Sequence, residues 1–223
     1  MTPTLPFIDE IYTAKKPAIA VDVVLFTIKN NELHVGLTQR EEEPFLGKYA
    51  LPGRFVRYDE PIETTAKLAL QLKGGINPDM VFFEQLYAFG QDLNRDTRIR
   101  TISLVYYALL NIEQLNKSGK NKFQWFSTYK LPQLAFDHKQ IIDYALVNLR
   151  EKIAHSAFAF QLMPQEFTLT QLQNAYETIL DQKLDKRNFR KKILELHLLK
   201  DIKKQKSEGA HRPAALYSFI RKR

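Results

Sequence analysis

The hydrophobic period of the chain changes near Ala154, and that change limits the available folds more than any other feature. Upstream, apolar residues gather in short runs typical of strands. AIAVDVVLF occupies residues 18–26, and beyond the polar turn at 29–32, Leu33, Val35 and Leu37 alternate with His34, Gly36 and Thr38. Residues 49–56, 82–89 and 99–112 read as further strands. A helix is expected from Pro61 to Leu72, because the acidic pair Asp59-Glu60 precedes a proline suited to a first helical turn and Gly74-Gly75 follows as a stop. Residues 140–153 form a second amphipathic pattern. Strands and helices mix without strict alternation, which predicts an α/β (α+β) sandwich for a domain spanning 1–154.

Downstream the period is helical. After a connector at 155–164, FTLTQLQNAYETIL carries Thr168 and Gln171 at capping-box spacing, with Leu172, Ala175, Tyr176 and Ile179 on one face. Asp185 is an N-cap for a second helix, DKRNFRKKILELHLL, with Phe189, Ile193, Leu196 and Leu199 as its apolar stripe. Two short segments, 201–206 and 215–220, flank the turn Ser207-Glu208-Gly209. Helix, turn, helix and a two-stranded wing is the order of a winged helix-turn-helix, expected over 155–223.

Charge separates the same two parts. From Gln161 onward lie 14 of the 33 Lys and Arg but only seven of the 25 Asp and Glu, so this quarter carries +7 of the net +8. Such asymmetry points to a polyanionic partner, although a solvated basic face is the bland alternative. Lys186, Arg187, Arg190 and Lys191 crowd the first two turns of the second helix, and no carboxylate follows until Glu195. Phosphates would relieve that repulsion. Asn188 adds an amide suited to an adenine edge or to the cap. His211 and Arg212, before Pro213, form a basic wing tip. These seven residues are the candidate DNA-binding set.

Cysteine is absent, which excludes disulfides, thiolate metal sites and a cysteine nucleophile. The five histidines are scattered, and no metal or cofactor is expected. No apolar run approaches the roughly 20 residues a bilayer demands. Asp9 and Glu10 stand where a secretory signal would be apolar, so a cytoplasmic protein, nucleoid-associated when bound to DNA, is expected.

The segment LPGRFVRYDEPIETTAKLALQLKGGI resembles the Nudix box, Gly-x5-Glu-x7-Arg-Glu-U-x-Glu-Glu-x-Gly-U with U aliphatic. That box sets carboxylates on one helical face, where they hold divalent metal against a diphosphate. In register, the first glycine is Arg54, the loop glutamate is Glu60 and the closing pair is Gly75-Ile76. The arginine–glutamate pair falls on Leu68 and Ala69, and the glutamate pair on Leu72 and Lys73. The frame is kept and the metal carboxylates are lost.

Over nearly its full length the chain resembles the Nudix-related transcriptional regulators of the NrtR type, through AVDVVLF, LPGRFVRYDE, LAFDHKQII, FTLTQLQNAYETIL, LDKRNFRKKILEL and HRPAALYSF. The resemblance implies a Nudix-like effector domain followed by a winged helix-turn-helix. It further implies a homodimeric repressor that binds an inverted-repeat operator in double-stranded DNA and senses a nucleotide or sugar metabolite such as ADP-ribose, controlling NAD or sugar metabolism. Arg40, Phe45, Arg54, Phe55, Arg57 and Glu60 would then meet the effector, aromatics stacking on a base and arginines holding phosphate. Lys73 would supply positive charge where metal sits in the enzymes. Against these roles, Phe45 and Phe55 suit a core equally well, and Arg57 suits an ion pair with Asp59 or Glu60. Two other readings remain at this point. One is a Nudix diphosphate hydrolase with a basic accessory domain, its metal site rebuilt by Glu63 or Glu84. The other is an RNA-binding or adaptor module.

Overall fold

The computed structural model describes residues 14–113, 122–155, 157–206 and 213–220. The first part runs β1 (Ala18–Lys29), β2 (Glu32–Gln39), β3 (Tyr49–Ala50), β4 (Gly53–Phe55), α1 (Ile62–Ala69), β5 (Phe82–Phe89), β6 (Thr101–Leu109), β7 (Gln124–Ser127) and α2 (His138–His155). Among the described residues these strands make one mixed sheet in the order β3-β2-β1-β6-β5, with β4 also against β1 and β7 against β2. β1 and β6 are parallel, in register from Ala18↔Thr101 to Phe26↔Leu109.

β1 is central, so both of its faces are covered, and its sequence is almost continuously apolar for that reason. Val21, Val23 and Leu25 pack with Ala66, Ala69 and Leu70 on one side. Val24 and Phe26 pack on the other side with Tyr107, Ile141, Ala145 and Leu149. Asp22 interrupts the run and is 7% exposed. The helix expected to reach Leu72 keeps α geometry only to Ala69, then widens into a π turn at Leu70–Gly74 and stops at Gly75 with φ 71°. Gly74 lies so close under the Phe123 ring that a Cβ there would come within 1.8 Å of it. β7, which carries no alternating pattern, was not expected.

The second part contains β8 (Phe167–Thr168), α3 (Leu169–Leu180), α4 (Lys186–Glu195), β9 (Leu199–Lys206) and β10 (Ala214–Phe219), with the three strands ordered β8-β10-β9. The capping box forms: the Thr168 hydroxyl accepts from the Gln171 amide at 3.1 Å, and the Gln171 side chain accepts from the Thr168 amide at 2.8 Å. Caps of this kind contribute about 1 kcal/mol each. Asp185 caps α4 by accepting from the Asn188 amide at 2.8 Å. The apolar stripe is shorter than expected. Phe189 and Ile193 are buried, but Leu196 is 46% exposed and Leu199 begins β9, because His197 turns left-handed at φ 53°.

Residues 157–162 are not a plain connector. They form a 3-10 segment whose Phe160 and Leu162 join a single apolar core running from the sheet into α3 and α4. Glu177 fixes the turn between α3 and α4. Its carboxylate accepts from Lys183 Nζ at 2.7 Å, Gln173 Nε2 at 2.9 Å and the Leu184 amide at 3.1 Å. Those donors, Lys183 first, hold its pKa down at about 2. No described helix is long and apolar enough to cross a membrane.

Candidate functional site

A buried polar network forms the floor of a cavity of about 600 Å³ in the first part. Gly53 of β4 pairs with Asp22 of β1, and the approach is tight enough that a Cβ at Gly53 would lie 2.2 Å from the Asp22 carboxylate. Ser103 donates to that carboxylate at 2.6 Å, and Arg95 reaches it at 3.5 Å. Arg95 also forks onto Asp137 at 2.8 and 2.7 Å. Burial works to lower the Arg95 pKa, but these carboxylates outweigh it and the guanidinium stays charged. His138 accepts from the Leu51 amide through Nδ1 at 2.9 Å, and burial pushes its pKa down, so its hydrogen sits on Nε2, 3.7 Å from Asp22.

The cavity wall carries cations on aromatic rings. Arg40 and Arg98 both lie against Phe136, at 4.9 and 5.4 Å from the ring centre, and Arg98 is also 5.4 Å from the Phe55 ring. Burial, and then the Arg98 charge, push the Arg40 pKa down. Arg40 pairs with no carboxylate among the described residues; Nε and Nη2 donate to the carbonyls of Pro44 and Glu42 at 2.7 and 3.2 Å. Arg98 is held by Asp96 at 2.8 Å. Two guanidiniums facing one cavity is an arrangement that an anion relieves.

Of the residues singled out from the sequence, Arg40, Arg54, Phe55 and Lys73 line this cavity. Phe45, Arg57 and Glu60 do not. Phe45 packs edge-on to Phe136 at 4.9 Å, one layer behind the wall. Arg57 pairs with Asp59 at 3.6 Å in solvent. Glu60 pairs with Arg54 of β4 at 3.4 Å and accepts from the Thr65 hydroxyl of α1, which places it behind Arg54 rather than in the lining. Sequence reasoning missed Asp22, Arg95, Arg98, Phe136 and His138. Asp22 left a signal as a charge inside an apolar strand, and Phe136 and His138 lie in the segment LAFDHKQII that carries the resemblance, whereas Arg95 and Arg98 left none.

The Nudix frame implies a divalent metal, and the side chains present do not fit one. Ala69 is fully buried, Leu72 is 62% exposed at the cavity edge, and Lys73 is a cation. Glu63 pairs with Lys67 at 2.7 Å and Glu84 with Lys152, and neither lines the cavity. Among the described residues no cluster of three or more acidic or histidine side chains is arranged to hold a metal ion.

In the second part, Lys186, Arg187, Asn188 and Lys191 are exposed on α4, opposite Phe189 and Ile193. Arg190 is half-buried, and its Nε has no hydrogen-bond partner among the described residues. Among the described residues, ion pairs here join Lys183 to Glu177, Arg150 to Asp181, Lys203 to Asp201 and Lys204 to Glu166, and none involves the α4 cations. Lys192 extends the basic helix. Tyr176 packs edge-on to Phe189 at 5.2 Å and fixes α4 on α3; burial pushes its hydroxyl up to about 12. His211 and Arg212 lie outside the described residues.

Residues 159–219 match the family model described as the NrtR DNA-binding winged helix domain. An ADPR responsive transcriptional repressor NtrR of Acinetobacter baylyi is 34% identical over 209 residues, covering 91% of this chain and 82% of that protein. NrtR of Shewanella oneidensis, solved in complex with a 27mer DNA, superposes with a TM-score of 0.80 at 33% identity, covering 90% of this chain and 93% of that one. Its Nudix domain, solved with ADP ribose, matches at 30% identity and a TM-score of 0.50, over 64% of this chain and 97% of that chain. An ADP-ribose pyrophosphatase of Methanocaldococcus jannaschii is 32% identical over 130 residues, covering 57% of this chain and 73% of that protein. With a Nudix-like mixed sheet followed by a winged helix, and a repressor relative 34% identical over 91% of this chain, the chain belongs to the NrtR family of transcriptional regulators.

Proposed function

We propose that this protein is an ADP-ribose-responsive transcriptional repressor. The observation that carries the reading is the pair of guanidiniums, Arg40 and Arg98, facing one cavity across the Phe136 ring, in the same chain as a basic helix whose cations form no ion pair among the described residues. ADP-ribose offers what such a cavity lacks: a diphosphate for the arginines and an adenine for Phe55 or Phe136. The names of the Acinetobacter and Shewanella relatives support that choice. Residues 1–154 act as the effector domain and 155–223 as the DNA-binding domain. Lys186, Arg187, Arg190 and Lys191 contact phosphates, Asn188 a base edge, and His211 with Arg212 the flanking groove. Arg40, Arg54, Phe55 and Lys73 meet the effector, while Phe45 and Glu60 support them from behind. Arg57 has no such position. The protein works as a homodimer on an inverted-repeat operator in the cytoplasm, because two-fold protein symmetry matches a palindromic site.

ADP-ribose releases DNA by preferring a conformer whose α4 spacing mismatches the operator. Fluorescence anisotropy on an inverted-repeat duplex tests the reading. Nanomolar operator binding that weakens with added ADP-ribose is the expected result, and an affinity indifferent to ADP-ribose would sink it. The second reading, hydrolysis, is favoured by the pyrophosphatase relative. The loss of carboxylates at Ala69, Leu72 and Lys73 argues against it, and the expected outcome is no turnover of ADP-ribose with Mg²⁺ or Mn²⁺.

A further inference from the structure

We infer that Lys73 and Lys122 replace the divalent metal of the Nudix frame, so that the cavity binds a diphosphate without any metal ion. The inference rests on the effector reading above and goes beyond it in naming what neutralises the phosphates.

The π turn at Leu70–Gly74 places Lys73 at the cavity edge, where the box would otherwise place a carboxylate. Lys122 comes to the same edge from a distant part of the chain. Its amide donates to the Gly74 carbonyl at 3.0 Å, which sets it beside Lys73 in the wall, and the neighbouring Phe123 ring locks over Gly74. Both ammonium groups are exposed, and neither forms an ion pair among the described residues. Of the acids in the lining, Asp22 is held by Ser103 and Arg95 and Asp96 by Arg98, while Glu41 and Glu42 are exposed and form no ion pair among the described residues. Six cations and four carboxylates line the cavity, an excess that suits a dianionic diphosphate diester. A metal ion added to such a wall would meet repulsion from both lysines rather than a ligand set. Lysine serves here as a point charge, which accommodates phosphate oxygens without the fixed geometry Mg²⁺ demands.

The test is calorimetric binding of ADP-ribose to the full chain, in chelator and in Mg²⁺. Equal affinity in the two buffers is expected. Lys73→Ala with Lys122→Ala should weaken binding at least about tenfold, the order expected for losing charge-assisted contacts. Adenosine, which lacks phosphate, should bind wild type and double variant alike. Leu72→Glu with Lys73→Glu should shift binding toward Mg²⁺ dependence, with the melting temperature reporting that the variant is folded. Strict Mg²⁺ dependence of the wild type, or a double variant that binds ADP-ribose as wild type does, overturns the inference. Should ADP-ribose fail in both buffers, inorganic pyrophosphate is the probe. Its binding in chelator, lost in the double variant, keeps the lysine site while removing ADP-ribose as effector; absence of pyrophosphate binding removes both.

Discussion

Arg150 of α2 donates through Nε to the Ile179 carbonyl at the end of α3, at 2.9 Å. Its Nη2 reaches the Tyr129 hydroxyl at 3.0 Å and lies 3.9 Å from Asp181. One arginine thus closes the last turn of α3 from a helix whose first residue, His138, stands in the cavity floor. A rise of about 1.5 Å per residue puts the two ends of that link about 18 Å apart. Asn111 adds a second tie by donating to the Leu162 carbonyl at 2.9 Å.

Arg150→Ala is therefore expected to leave operator binding and ADP-ribose binding each within a few-fold of wild type while reducing the effect of one on the other. Allosteric coupling typically spans about 5- to 150-fold in affinity. Operator titrations with and without ADP-ribose read the coupling directly. A variant that loses operator affinity outright would show that Arg150 holds the fold rather than relays the signal.

Arg187→Ala should weaken operator binding about tenfold or more and leave ADP-ribose affinity unchanged. Its salt dependence should fall by about one unit in the log–log slope, because one counterion fewer is released. If each half-site engages about three to five phosphates, wild-type affinity should drop about 10³- to 10⁵-fold between about 50 and 200 mM salt. Equal loss of operator and effector binding would instead report unfolding.

Arg98→Ala removes a cavity cation and the side-chain partner of the buried Asp96 carboxylate, which keeps only the backbone amide of residue 98 at 3.0 Å and the more distant Arg95 charge. Burial works to raise the Asp96 pKa, and in the wild type the Arg98 hydrogen bonds outweigh it and hold the carboxyl low. The variant is expected to lose about 10- to 100-fold in ADP-ribose affinity, from the lost contact and the new negative charge together. Without the Arg98 side chain the carboxyl protonates at a higher pH than in the wild type, so on acidification part of that loss should return before the wild-type carboxyl titrates.

Glu177 gives the inter-helical turn an acid-sensitive clasp. Its ordinary pKa of 4.5 falls to about 2 in the folded protein, so its stabilisation is complete above about pH 4.5 and is lost as pH falls toward 2. Glu177→Gln should lower the melting temperature at neutral pH and flatten its fall across that window. The Lys183 partner is solvent-exposed, so the effect should be modest.

Gly74→Ala would drive a methyl into the buried Phe123 ring. Overpacking of this kind costs about 1–3 kcal/mol, to be read from urea denaturation. Because Lys73 and Lys122 are set by the same contact, ADP-ribose affinity should fall as well.

The sequence by itself determined the two-part organisation and the cation-bearing face of α4. The change from alternation to helical spacing, the Thr168 and Asp185 caps and the cation cluster on α4 are all local, and local spacing dictates which residues share a face. It also carried the Nudix frame and the loss of its carboxylates, because that comparison needs only register. What tertiary structure decided is the cavity. Asp22, Arg95, Asp137 and His138 meet from positions up to 116 residues apart, and Lys122 reaches Lys73 through a backbone contact with Gly74. No periodicity records such meetings, because strand pairing and packing set them rather than neighbouring residues. The same holds for Arg57 and Glu60, adjacent to the cavity in sequence yet turned away from it, Arg57 to Asp59 in solvent and Glu60 to Arg54 and Thr65.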